Sequence, residues 1–374
     1  MRRLLVVAAI VAGCGPQPVR PRHDRLLWEA NEGGVLHADL EKVVVWRSPR
    51  LAAHSAARGT LAWQAELRGT PEHVAGPTLV YRSSDSQETM VAIDIGDGRE
   101  RWRYFAKDYS KLFVAGGRCY LAERNGLVHA VDGFTGECAW KEPTVSHALV
   151  SQLTADGERV YGVDAEGQLV AWAIDTGRIA WKIDVGQTLD PLGLVAGRVL
   201  VNSGTLARKL VAYDAATGRR AWAWDRPAGP NGAWIHGGGL ACYVVGATMH
   251  VIDAASGERL WERIVHAPPV VGDGAVLVAA FESLVACDAR TGQVRWEAKG
   301  LSRVHHADAE LVVASDDRRL VVLDAKKGSP RWEFAAWSEV RWAKRCGPLL
   351  AIETYDRPAG REPVRHTVAV LRVE

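Results

Sequence analysis

Six histidines and five cysteines are the side chains in this sequence best suited to chemistry. They are His73, His147, His236, His266, His305 and His306, and Cys119, Cys138, Cys242, Cys287 and Cys346. Imidazole and thiolate are common transition-metal ligands, and thiolate is also a strong nucleophile. Neither set has the local spacing that such chemistry uses. No C-x-x-C pair and no H-E-x-x-H is present, and neither a P-loop nor a G-x-S-x-G elbow occurs. Metalloprotease, nucleotide-hydrolase and serine-hydrolase readings therefore lack support. No dense run of Asp, Glu and Asn suggests a calcium loop. Five cysteines cannot all pair within one chain. Cys242 and Cys287 sit in apolar runs, where a thiol acts as a small hydrophobe. A Cys119–Cys138 disulfide is compatible with an oxidising compartment. The histidines can meet only if the fold brings them together, so the elements that carry them decide the question.

The first residues serve as an address. Met1-Arg2-Arg3 is basic, Leu4 to Ala12 is wholly apolar, and small residues lead to Cys14. This is a secretory leader, residues 1–13, too short to span a bilayer as a helix. Val11-Ala12-Gly13-Cys14 resembles the bacterial lipobox, which implies cleavage before Cys14 and lipid on its thiol. The alternative is an ordinary signal peptide with an incidental cysteine. Several acyl chains on one residue would anchor the chain firmly. Gly15, in a Gram-negative cell, favours the outer membrane. Pro16, Pro18 and Pro21 make the following segment an extended tether. Cleavage removes two arginines and no acid from totals of 46 basic and 44 acidic residues. A neutral mature chain is no basis for binding nucleic acid.

The 374 residues include 15 Trp against 5 Phe. A core does not require that excess, and its spacing explains it. Trp63, Trp102, Trp140, Trp181, Trp222, Trp261, Trp296 and Trp332 each follow a glycine by four positions: Gly59, Gly98, Gly136, Gly177, Gly218, Gly257, Gly292 and Gly328. An aspartate stands four residues before most of those glycines: Asp94, Asp132, Asp214, Asp253, Asp288 and Asp324, with Ala173 in its place before Gly177. Aspartate can close a turn on backbone N–H groups, and glycine supplies φ > 0 at its end. Alternating apolar residues flank each turn, so each unit reads as strands joined by tight hairpins. A period of this length suits a four-stranded propeller blade.

The repeat resembles the PQQ-like (quinoprotein-like) family, whose signature is Ala-x-Asp-x-x-Thr-Gly-x-x-x-Trp, over residues 59–374. The resemblance implies an all-β propeller with a docking tryptophan between neighbouring blades. Counting strands predicts eight four-stranded antiparallel blades. Thr60–Leu67 would complete the last blade, whose other strands are near 340–343, 349–352 and 368–371. A seven-bladed ring with a spare strand is the alternative. Residues 14–58 are then the lipidated cysteine, the tether and one possible extra strand at Val43–Trp46. The histidines fall in or just before first strands and are expected to line a wet central channel without a metal. Seven tryptophans stay unassigned: Trp28, Trp46, Trp172, Trp224, Trp234, Trp337 and Trp342.

Family members that are PQQ-dependent dehydrogenases carry long insertions, a calcium site and adjacent cysteines. None of these is present, so neither a cofactor nor catalysis is expected. Lipid-type leader, length and lack of insertions are similar to the family's lipoproteins of outer-membrane β-barrel assembly. That implies a non-catalytic scaffold binding the barrel-insertase subunit and nascent outer-membrane proteins. An extracytoplasmic ligand-binding or sensor propeller is the alternative. The assembly lipoproteins bind through a Leu-x-Leu-Arg type loop. Here that loop is Thr188-Leu189-Asp190-Pro191-Leu192-Gly193, without arginine, and the next is Asp225-Arg226-Pro227-Ala228-Gly229-Pro230. No contact residue is carried over, and the partner-binding residues are unknown at this level.

Overall fold

The computed structural model describes residues 25–30, 34–86, 88–144, 150–186, 188, 192–203, 209–227, 231–272, 274–316, 319–335, 339–356 and 365–373. The leader, Cys14, His147 and Trp337 lie outside them. Among the described residues the strands form nine four-stranded antiparallel sheets, not eight. Eight sheets are continuous in sequence: blades 1 to 8 span 34–66, 69–105, 109–143, 150–184, 193–225, 231–264, 270–299 and 303–335. Blade 9 combines Glu339–Cys346, Leu349–Asp356 and Arg365–Arg372 with Leu26–Ala30 as its outer strand.

The eight-blade expectation fails in residues 26–66. An N-terminal strand does complete the last blade, but it is Leu26–Ala30 and not Thr60–Leu67. Leu61–Glu66 is the outer strand of a complete blade whose other strands are Gly34–Ala38, Lys42–Arg47 and Arg50–Ser55. The segment expected to hold a tether and one extra strand at Val43–Trp46 thus supplies the closing strand and three of the four strands of blade 1, one of them Lys42–Arg47.

Local sequence sets the role of each strand. The second and third strands of a blade are covered on both faces, and Leu79-Val80-Tyr81 and Met90-Val91-Ala92-Ile93 are buried throughout. Such strands read as unbroken apolar runs. Outer strands have one solvent face and alternate: in Glu100–Phe105, Trp102 is buried while Arg101 and Arg103 are exposed. Buried apolar side chains form nine clusters among the described residues, one at each seam between adjacent blades. The core is therefore a ring of seams around an axis.

The turn chemistry is as compact as its spacing suggests. Asp132 Oδ1 accepts from Phe134 N at 2.9 Å and Thr135 N at 2.8 Å, and Asp324 Oδ1 accepts from Lys326 N and Lys327 N at 3.0 Å each. Each repeat tryptophan crosses to the next blade. Its indole N–H donates to the carbonyl one residue past the Asp position, as from Trp102 to Gly133 at 3.2 Å and from Trp222 to Ala254 at 3.0 Å. Trp28 does the same to Ala56 at 2.8 Å, and Trp332 to Val373 at 3.2 Å. The turn glycine lies beneath the incoming ring. A Cβ on Gly136 would lie 2.5 Å from Trp102 Cγ.

Trp172 has a different duty. It is fully buried at the seam of blades 3 and 4 with Tyr120, Trp140 and Val160. Its ring stands where a Cβ on Gly162 would come within 3.0 Å. We expect Gly162→Val to destabilise the protein by about 1–3 kcal/mol through overpacking, read from the urea midpoint.

Candidate binding surface at the channel mouth

The first strand of each blade lines the axis. One face of the ring carries the tight turns after the first and third strands. The opposite face carries the turns after the second strands and the connections between blades. Loops on a rigid ring are well placed to bind partners.

On this second face blade 7 departs from the others. Its first strand is only Val270–Val271, paired with Leu277 and Val276. Pro268 and Pro269 precede it, and proline cannot donate to a ladder. Leu277 and Ala279 of the second strand thereby reach a groove of about 560 Å³ at the channel mouth. Ile235, Val270, Val304 and Val340, from four consecutive blades, complete its apolar lining. The rim is polar: Arg303 Nη1 lies 2.6 Å from Glu339 Oε1, and Arg341 stacks 4.3 Å over the Tyr355 ring. Outside the groove, Phe281 is 80% exposed and Ile264 64% exposed. His266 stands edge-on to Phe281 with centroids 5.8 Å apart. A second cavity, about 660 Å³, runs from Phe281 past Glu282, Glu297 and Lys299 to Leu301. Exposed aromatic and aliphatic side chains with charged neighbours make this face the candidate binding surface.

The candidate histidines take separate partners. His305 Nε2 lies 2.7 Å from Ser315 Oγ. His306 Nε2 lies 3.1 Å from Asp308 Oδ2, which also holds Arg345. His236 stacks near Trp234, at 5.2 Å, and His73 is exposed on the first strand of blade 2. Among the described residues no three metal-ligating side chains converge. The five cysteines are free. Cys119 and Cys138 lie on the second and fourth strands of blade 3, both opposite Val131 on the strand between. That places them roughly 9–10 Å apart, beyond disulfide reach. Burial pushes the Cys119 and Cys242 thiols up to about 12, which removes them as nucleophiles. In the interblade loops, the Arg226 guanidinium meets the Tyr243 hydroxyl and Thr188 is buried; residues 189–191 and 228–230 lie outside the described set.

Burial also makes two histidines acid-sensitive. Burial pushes His305 down to about 4, and Arg303 adds to the effect. His129, 1% exposed, falls to about 4 for the same reason, with Lys141 adding to it. Glu123 lies 3.2 Å from His129 but does not reverse this. Its carboxylate already accepts from Lys107 N and Asn125 Nδ2. Both imidazoles are neutral in the fold and protonate more readily when unfolded. Stability is full above the ordinary value near 6.5 and is lost as pH falls from there through about 4. Each site contributes at most about 3 kcal/mol. Urea unfolding between pH 7.5 and 4.5 should show this loss, and His129→Gln should flatten it.

Comparison with known proteins places the chain. The profile of the family described as outer membrane protein assembly factor BamB matches residues 18–118, 124–244 and 245–354. The chain belongs to the BamB family. The outer membrane protein assembly factor BamB of Shewanella oneidensis is 24% identical over 273 residues, 62% of this chain and 67% of that protein. The BamB family shares its repeat with enzymes. Quinohemoprotein alcohol dehydrogenase ADH IIB of Pseudomonas putida is 27% identical over 150 residues, 33% of this chain and 21% of the enzyme. The crystal structure of BamB from Moraxella catarrhalis aligns with a TM-score of 0.50 at 16% identity, covering 82% of this chain and 96% of that one. That likeness concerns the propeller fold alone. Sequence reasoning missed Phe281 and Ile264, since neither belongs to the repeat signature. The Pro268-Pro269 pair was the readable signal that blade 7 is interrupted.

Proposed function

We propose that this chain is a non-catalytic scaffold of outer-membrane β-barrel protein assembly, held at the periplasmic face of the outer membrane by lipid on Cys14. Its partners are the barrel-insertase subunit and nascent outer-membrane proteins. Membership of the BamB family supports the role. The observation that carries it is the face bearing Phe281, Ile264 and the four-blade groove, which has the anatomy of a protein-binding surface. Purification from detergent-solubilised envelope tests the reading. The insertase should copurify, and its absence would sink the proposal in favour of a sensor propeller. Phe281→Asp with Ile264→Asp should weaken capture at least about tenfold, as loss of exposed anchors does, while leaving the urea midpoint unchanged. Cys14→Ala should move the protein from the membrane to the soluble fraction; persistent membrane association would count against the anchor. Added PQQ with calcium should give no saturable absorbance change, and a saturable one would reopen the dehydrogenase reading.

A further inference from the structure

The seam that closes the ring differs from the others in composition. Where blades 9 and 1 meet, the buried residues are Ala38, Val43, Val45, Ala52, Ala56, Ala351, Val368 and Val370, all alanine or valine. Each of the other eight clusters contains at least one larger buried side chain. Larger side chains that are only partly buried, Leu27, Trp28, Trp342 and Leu349, pack against this set, and an open cavity of about 560 Å³ lies against blade 1 beside the seam. Its floor is apolar, from Val45 and Ala52, and its wall includes the buried His54. At its mouth Arg47 and Arg50 face each other across the paired ends of two strands, with Gln64 and Glu66 on the next strand. Neither arginine has an ion pair among the described residues, although Glu66 stands opposite Arg50 in register. Three arginines at other seams are paired with carboxylates: Arg82 with Glu72, Arg101 with Asp94 and Arg345 with Asp308 and Glu310.

Two adjacent uncommitted guanidiniums over an apolar-floored cavity bias it toward anions. We propose that this cavity is an anion-binding site for a carboxylate or phosphate carried on a small apolar group. Arg47 and Arg50 supply charge-assisted hydrogen bonds, Gln64 an amide donor, and Val45 and Ala52 the apolar floor. Glu66 limits the net charge and receives a donor next to the anion.

Calorimetric titration of the full chain at low ionic strength tests the site. The probes are N-acetylglycine, as a peptide-like carboxylate, and sn-glycerol 3-phosphate, as a headgroup-like phosphate. N-acetylglycinamide is the neutral control. At least one anion should bind, the control should not, and salt should weaken binding. The R47Q/R50Q double variant should bind at least about tenfold more weakly, as expected on losing two charged donors. Binding by N-acetylglycine alone assigns a polypeptide source, and by glycerol 3-phosphate alone a headgroup source. The proposal is overturned if neither anion binds, or if the variant binds as the natural chain does. Should the double variant lose its urea transition, R50Q and R47K singly give the same readout.

Discussion

Trp28→Ala will lower the unfolding free energy by about 3–5 kcal/mol, the range for deleting a large packed aromatic. Three contacts are lost together. The indole N–H bond to Ala56 O at 2.8 Å disappears, the ring leaves the surface over Gly59, and its tilted contact with His54 at 5.7 Å is broken. Around it the fully buried positions of this seam hold only alanine and valine, with Leu27, Trp342 and Leu349 partly buried against them. Urea unfolding gives the measurement. The same experiment separates nine blades from eight. If Thr60–Leu67 closed the ring, Trp28 would belong to a solvated tether and its loss would cost under about 0.5 kcal/mol.

Gly136→Val will be at least as severe, about 4 kcal/mol or more, because strain and overpacking add. Gly136 has φ of +76°, which a β-branched residue does not tolerate. Its new Cβ would also stand 2.5 Å from Trp102 Cγ, and Trp102 is 8% exposed in a packed seam. Gly116 is the matched control. Its φ is +56°, with nothing within 4 Å of an added Cβ. Gly116→Val should therefore cost only the backbone strain, of order 1–3 kcal/mol. Similar losses at the two sites would mean that tryptophan docking contributes little.

These two predictions also mark what was legible in the sequence. The Gly–Trp pair was legible because the fold repeats one steric requirement: a flat ring needs a residue without Cβ beneath it. The aspartate was the less reliable guide. At the turn of blade 4, Ala173 still accepts from Gly177 N at 2.9 Å and donates to Arg178 O at 2.8 Å, so the backbone forms the turn unaided. Ser55 does the same in blade 1, donating to Thr60 O at 2.9 Å and accepting from Gly59 N at 2.8 Å. A reading keyed to aspartate thus keeps only the outer strand of blade 1 and assigns it to the last blade. Trp28 was harder still. It lies 35 residues before Trp63, the same step as from Trp261 to Trp296, but Asp24 stands where the turn glycine would be. Blade 9 has no covalent third turn, since Arg365–Arg372 and Leu26–Ala30 are distant in sequence. Without a turn there is no turn signature to read. The candidate binding face was less legible for another reason. Phe281 is an ordinary hairpin residue in sequence, and only its 80% exposure and its edge-on contact with His266 give it meaning.

Each tryptophan hands its N–H to the following blade, and the last one, Trp332, hands it to Val373 beside the first described residues: Arg372 N donates to Arg25 O at 2.9 Å. Repeat proteins that form open arrays unravel from their terminal units, because an end unit has only one neighbour. A circle of nine has no end unit. Any blade that melts must break two seams at once, so fraying gives way to all-or-none loss.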